Sequence, residues 1–424
     1  MEQHTPQTKP VIFFAPHYVG SLKYFGKLLP HLSKRYDVKF LLIFGRRSFT
    51  EMINFAKENR LPFEAIYGPK PSPILERLPF YRTVTRARHY TREVGALLSR
   101  SSPSQIIGTN DQGFYMRYLI EEANRRGVKT SVLQWALTYP GQQILPVKNT
   151  PRWRKVLYRL GKPLYVKVRD GLIASALGNN NRWSKGMIGG GSAKRFGVIN
   201  GQALELFAAH GIPREKMTVV GYLDFHWSKE IEKRIEADQS IRRAIAEKHD
   251  IDLNKENIIF YSTPFNRKDT VILSDAKHRK MTETVIQTIR EICPPDQYGV
   301  LFKPHPSETK GGYQYLAPYS VTFLDPVADN NELIALADLY IAGVSTTNFI
   351  PITMNKKAIF VNLAKLRQVE SARPFFGIKK FVTEPAEFRD LLTDFKRGKL
   401  EPQYSGREKI IVDDSLQKII DWIG

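Results

Sequence analysis

The chain has 424 residues, 42% of them hydrophobic and 25% charged, so a folded protein longer than one ordinary core, and hence two domains, is expected. Its 64 Lys and Arg against 42 Asp and Glu leave a net charge of +22, which calls for a polyanionic or anionic-surface partner. No apolar run reaches the ~18 residues of a membrane span, residues 1–10 lack the order of a signal peptide, and a single cysteine, Cys293, excludes an internal disulfide or a cysteine-based zinc cluster. The cytosol is the expected compartment.

Apolar runs and helical spacings alternate from the start. Strands are expected at 9–15, 38–44, 63–67, 105–108 and 129–134. Helices are expected at 22–34, 49–59, 81–98 and 113–126, with a proline-rich break at 71–79. Residues 179–192 form a polar, glycine-rich break, followed by a helix at 201–210 and a strand at 216–221. A charged helix over 228–249 spans the expected junction. The alternation then restarts with strands at 258–262, 299–302, 321–324, 339–342 and 358–362. Helices at 280–292, 331–337, 388–395 and 415–423 complete the chain. Strands alternating with helices over short loops mean parallel sheets. The fold class is therefore α/β: two doubly wound, Rossmann-like domains facing a cleft. Residues 1–225 would form the N-terminal domain and 226–406 the C-terminal one, with 407–424 able to pack back on the first.

Positive charge clusters over 148–169, with Trp153, Arg154, Lys155 and Arg159 among interleaved apolar residues. Trp153, Val156, Leu157 and Leu160 share one helical face, the pattern of an interfacial helix on anionic lipid. A helix packed on its own domain fits the apolar face equally. No zinc-finger, helix-turn-helix or RNA-binding aromatic signature accompanies the charge, which argues against nucleic acid.

Chemistry is sought where strands end, because ligands of open α/β sheets bind there. Four loops qualify. In the first, following strand 9–15, His17 stands near Gly20, whose lack of a side chain permits close approach. In the second, Asp111 after strand 105–108 is a helix N-cap, a general base, or both. Gln134 and Trp135 end the next strand and would line the same pocket. The third is Lys303-Pro304-His305-Pro306, a stiff turn in which two prolines stop an apolar strand and hold a cation beside an imidazole. The fourth, Ser345-Thr346-Thr347, offers hydroxyls and backbone N–H groups that either cap a helix or cradle a phosphate. Ser262 and Thr263 at an earlier strand end would close this rim.

Strand–Lys-Pro-His-Pro, followed by Ala-Asp-Leu-Tyr-Ile-Ala-Gly and Ser-Thr-Thr, resembles the donor half of GT-B glycosyltransferases. The likeness is to bacterial sialyl-, Kdo- and polysialyltransferases that use CMP-sugars, and to CDP-glycerol glycerophosphotransferases. His210-Gly-Ile-Pro213 through Asp224, and Gly108-Thr-Asn-Asp111, also resemble the superfamily containing UDP-GlcNAc 2-epimerases. The resemblance implies that His305, Lys303, Ser345 and Thr346 contact the donor phosphate, with Asp111 as the base. It implies a nucleotide-sugar donor, a glycan or lipid-linked acceptor, and a peripheral enzyme of bacterial surface polysaccharide synthesis at the inner membrane face. Many UDP-sugar members place Glu-Ala some six residues after the serine loop, where this chain has Pro351-Ile352. That departure favours a CMP- or CDP-linked donor over UDP. No convincing Asp-x-Asp motif occurs, so metal-independent chemistry without a cofactor is expected. A hydrolysing UDP-GlcNAc 2-epimerase and a non-catalytic basic glycan- or membrane-binding protein are the alternatives.

Overall fold

The computed structural model describes residues 9–44, 49–69, 79–112, 114–136, 187–263, 266–267, 270–271, 273–306, 308 and 310–424. The first sheet has seven strands: β1 (Val11–Ala15), β2 (Asp37–Ile43), β3 (Phe63–Ile66), β4 (Gln105–Gly108), β5 (Lys129–Leu133), β6 (Arg195–Val198) and β7 (Met217–Val219), in the order β3-β2-β1-β4-β5-β6-β7. A short antiparallel pair, β9 (Asn266–Arg267) and β10 (Thr270–Val271), follows β8 (Glu256–Tyr261). The second large sheet joins β8 to β11 (Tyr298–Lys303), β12 (Val321–Phe323), β13 (Leu339–Ala342) and β14 (Lys357–Phe360), in the order β12-β11-β8-β13-β14. All pairings within the two large sheets are parallel. This is the expected doubly wound α/β class.

Register decides which loops can meet. Ala15 aligns with Gly108, and Gly108 with Val132, so the loops after β1, β4 and β5 emerge at one edge. Tyr261 likewise aligns with Lys303 and with Ala342, bringing together the loops after β8, β11 and β13. The strands are short and almost wholly apolar, as strands covered on both faces must be.

The second sheet separates two buried layers. Ile258, Phe260, Phe302 and Ile341 pack with Ile286 and Ile289 of helix Asp275–Ile292 and Phe388 of helix Pro385–Lys396. Ile259, Leu301 and Tyr340, on the opposite face, belong to a core continuous with that of the first sheet. Phe349 is the hub of this junction, with ring centroids 5.3 Å from Phe225, 5.9 Å from Tyr222 and 4.6 Å from Phe376. Across the same junction, Lys27 lies 3.8 Å from Asp224 and 3.9 Å from Asp329. The terminal helix Ser415–Ile423 returns to the first sheet, where the Arg195 guanidinium donates to the Trp422 carbonyl and stands 4.7 Å from its ring centroid.

Three expectations change. The helix expected over 22–34 is two, Val19–Gly26 and Leu29–Leu32, because Pro30 suits the first turn of a new helix better than the interior of an old one. The charged helix over 228–249 is also two, Leu223–Ala237 and Gln239–His249. Asp238 is extended between them, and its carboxylate accepts from the Ser240 N–H at 2.8 Å. Strand β6 falls in a stretch where no strand is expected. A Cβ on its Gly197 would lie 3.0 Å from Val220 and 3.3 Å from Trp422. The glycine serves the docking of the terminal helix.

Candidate functional site

On the first sheet's rim, Ser21 shapes the loop after β1. Its hydroxyl accepts from the N–H groups of His17 and Tyr18 at 2.8 and 3.0 Å and donates to the Tyr18 carbonyl at 2.8 Å. This tight turn directs His17 and Tyr18 outward; Tyr18 is 42% exposed. The Tyr18 ring meets Trp135 edge-on at 4.7 Å. Gly20 makes room for that pair, since a Cβ would stand 3.0 Å from Tyr18 and 3.6 Å from Trp135. Asn110, at the end of β4, places its amide nitrogen 3.4 Å from His17 Nδ1. Gln134 is wholly buried, and its Oε1 accepts from the Ile199 N–H at 3.0 Å. His17, Gly20, Gln134 and Trp135 thus share one rim, to which the structure adds Tyr18, Thr109 and Asn110.

Asp111 sits differently from its expectation as a base. The side chain has no exposed surface. Its oxygens accept from the N–H groups of Gly189 and Gly191 at 2.9 and 2.8 Å, and from Gln112 at 3.1 Å. Lys216 lies 3.7 Å from the carboxylate and also donates to the Gly191 carbonyl at 2.9 Å. Gly189 has φ +80°, and a Cβ on Gly191 would fall 2.6 Å from the Asp111 carbonyl oxygen, so both positions require glycine. Burial holds the Lys216 ammonium below the usual lysine range, with Asp111 opposing that shift. A carboxylate occupied in this way anchors the glycine loop, and a general base must instead reach an incoming hydroxyl. It does not cap the following helix, its expected alternative role, through any of these bonds.

The facing rim of the second sheet is tied to itself. Glu308 Oε2 accepts from Ser262 Oγ at 2.7 Å and from the His305 N–H at 2.9 Å, and the Tyr313 hydroxyl stands 2.9 Å from Ser262 Oγ. His278, buried on helix Asp275–Ile292, lies 4.0 Å from the other Glu308 oxygen. Burial draws His278 below the usual histidine range, while Glu308 and Asp275 oppose it. One carboxylate therefore clamps the Lys-Pro-His-Pro turn to the end of β8. The sequence marks Glu308 only by its adjacency to that turn.

Ser345 caps the turn Thr346–Asn348, accepting from the Thr347 N–H at 3.2 Å and donating to Thr347 Oγ1 at 3.1 Å. Buried Asn348 supports this loop from beneath, donating to the Gly343 carbonyl and accepting from the Tyr340 hydroxyl, both at 2.9 Å. Thr263 Oγ1 would lie 2.5 Å from a Cβ on Gly343, so β8 and β13 end in close contact. Pro351 and Ile352 are buried in helix Phe349–Thr353.

Lys303 points into the junction between the sheets. It is 3% exposed, donates to the Pro326 carbonyl at 2.7 Å, and lies 5.6 Å over the Tyr261 ring. Burial draws its ammonium down to about 8, against the pull of Asp325 and Asp329 and with added repulsion from Lys23 of the first domain. Aromatic contacts link the two rims. Trp135 is 6.4 Å from Tyr24, Tyr24 stacks on Tyr222 at 5.5 Å, and the Tyr222 hydroxyl interacts with Thr346. Among the described residues no group of three or more His, Cys, Asp or Glu side chains gathers as a metal site. Trp153, Arg154, Lys155 and Arg159 lie outside the described residues, and no described helix is long and apolar enough to cross a membrane.

The chain matches no known family profile and no curated protein. Solved structures resemble it along nearly its whole length. UDP-GlcNAc 2-epimerase from Methanocaldococcus jannaschii aligns with a TM-score of 0.57 and 12% identity, covering 98% of this chain and 99% of the other. The wall teichoic acid polymerase TagF, in a variant soaked with CDPG, aligns at 0.51 and 15%, covering 98% and 88%. MurG from Acinetobacter baumannii aligns at 0.52 and 12%, covering 98% and 99%. Identities this low speak for the fold, which is the GT-B arrangement of two facing Rossmann-like domains.

Proposed function

We propose that this protein is a nucleotide-sugar glycosyltransferase whose donor is held by the second domain and whose acceptor is held by the first, with the domains divided near residue 225. The observation that carries this reading is the pair of facing strand-end rims. One presents the His305 turn and the Ser345–Thr347 loop on a hydrogen-bonded frame, and the other presents His17, Asn110 and Trp135. In this reading His305, assisted by Thr263, Ser345, Thr346 and Thr347, binds the donor phosphate and stabilises the charge that develops as the nucleotide leaves. Lys303 adds long-range positive charge from beneath. Ser262 and Glu308 hold the turn in place.

The acceptor hydroxyl attacks the anomeric carbon, forming the new glycosidic bond as the sugar–phosphate bond breaks; its proton passes to a base on the first rim. His17 is the imidazole there, and it replaces Asp111 as our candidate. The buried Pro351-Ile352 step, where many UDP-sugar enzymes have a ribose-binding carboxylate, supports a CMP- or CDP-linked donor. The basic segment containing Trp153, Arg154, Lys155 and Arg159 would hold the enzyme against anionic lipid at the inner membrane face, where surface polysaccharide is assembled.

Thermal-shift titration with CMP, CDP, UDP and GDP tests the donor side, because a ligand of the native state raises Tm by mass action. A cytidine preference that His305→Ala abolishes is the expected result, and no shift with any nucleotide overturns it. Incubation with UDP-GlcNAc alone separates the epimerase alternative, which would release UDP and ManNAc without an acceptor. Co-sedimentation with phosphatidylglycerol vesicles tests the membrane proposal: Arg154→Glu together with Lys155→Glu should release the protein.

A further inference from the structure

Three polar atoms on the first sheet's rim are buried and have no hydrogen-bond partner among the described residues: Thr109 Oγ1, Asn110 Oδ1 and Gln134 Nε2. They belong to the ends of the adjacent strands β4 and β5. Gln134 is fully buried and Thr109 is 1% exposed, so bulk water does not solvate them. Buried polar groups are nearly always paired, and three orphans together mark a place where something else completes the bonding. Their chemistry restricts what that is. An amide oxygen only accepts, an amide nitrogen only donates, and a threonine hydroxyl does both. The dianionic group of a phosphate monoester offers only acceptor oxygens and leaves Asn110 Oδ1 unsatisfied. A hydroxyl both donates and accepts, so neighbouring hydroxyls can satisfy all three.

Water would satisfy them too, and the aromatic pair beside them indicates a ring. Tyr18 is 42% exposed and edge-packed on half-buried Trp135, and Gly20 leaves their approach open. Aromatic surface next to a few convergent polar atoms is the make-up of a small-molecule site. His17, 3.4 Å from Asn110, stands at its outer side.

We infer that this rim binds a neutral, hydroxylated ring, a sugar residue of the acceptor, and not an acceptor phosphate. The ring's apolar face lies on Tyr18 and Trp135, and its hydroxyls reach Thr109, Asn110 and Gln134. The inference rests on the glycosyltransferase reading for the word acceptor, while sugar binding itself can be tested without turnover.

The test titrates the full chain with methyl pyranosides of glucose, galactose and N-acetylglucosamine, and separately with glycerol 3-phosphate and inorganic phosphate. Binding is followed by saturation-transfer NMR, with and without saturating CDP or CMP. At least one pyranoside should bind with saturation strongest on its ring C–H protons. Tyr18→Ala and Gln134→Leu should each weaken it at least tenfold while nucleotide affinity stays unchanged. Tyr18 is a surface side chain, so its variant keeps the test valid should Gln134→Leu fail to fold. Absence of pyranoside binding, insensitivity to Tyr18→Ala, or Tyr18-dependent binding of glycerol 3-phosphate at least as tight as any sugar would overturn the inference. Loss of nucleotide binding alone would strike the donor assignment and leave this one standing.

Discussion

The two rims of the cleft differ in how their strand-end loops are held. In the second domain Glu308, Ser262, Tyr313, Asn348 and Tyr340 bond to one another or to backbone, so the His305 turn and the serine loop are already built. In the first domain Thr109, Asn110 and Gln134 keep bonding capacity unused beside an exposed tyrosine. Turns bonded in this way are preorganised for a charged group, where misplacing a donor by an ångström is costly, although the buried Tyr261 hydroxyl at the end of β8 has no partner among the described residues. A rim with unused bonds is completed by what it binds. The difference also separates two acidic residues that look alike in sequence: Glu308 braces a proposed catalytic turn, and Asp111 braces a glycine loop.

The largest expected effect tests the preorganised rim directly. His305→Ala should lower turnover by roughly 10²–10⁴-fold, the range of a lost acid–base or charge-stabilising group, with Tm unchanged. An unaltered rate would remove the donor site from this rim.

Asp111→Ala should cost about 3–5 kcal/mol of stability, because it strands a buried lysine and two glycine N–H groups. Denaturant unfolding measures this. Asp111→Asn sharpens it: a loop anchor predicts lost stability with kcat preserved in the folded fraction, and a base predicts the reverse.

Glu308→Ala should destabilise by about 1–3 kcal/mol by removing the acceptor shared by the Ser262 hydroxyl and the His305 N–H, and should weaken nucleotide binding. Glu308→Gln, which keeps an acceptor oxygen, should restore most of the binding in the same titration.

An effect of similar size, confined to alkaline pH, concerns Lys303. Its ammonium titrates near 8 when folded and near 10.5 when unfolded, so the unfolded chain binds more protons between those values. Stability should therefore rise as pH increases from about 8 toward 10.5, by about 1–3 kcal/mol from this group. Lys303→Met should flatten that rise in pH-resolved urea unfolding.

Much of this was legible in the amino-acid order because local rules govern it. Short apolar runs between helical spacings could only become buried parallel strands, and β13 and the helix Ser415–Ile423 lie where the pattern puts them. Proline and hydroxyl chemistry at strand ends announced His305 and Ser345. Local patterning could not foresee contacts made between distant segments. Gly197 has no side chain where the terminal helix needs the space, and Asp111 read as a helix cap or a base until residues some eighty positions later closed over it. Glu308 and Tyr18 carried no motif, since their roles arise from what lies across a loop or a sheet. Sequence alone determined most of the strands, β6 excepted, and which loops could carry chemistry. Only the tertiary structure decided which polar atoms are already paired and which still await a partner, because desolvation and hydrogen bonding depend on everything packed around a group.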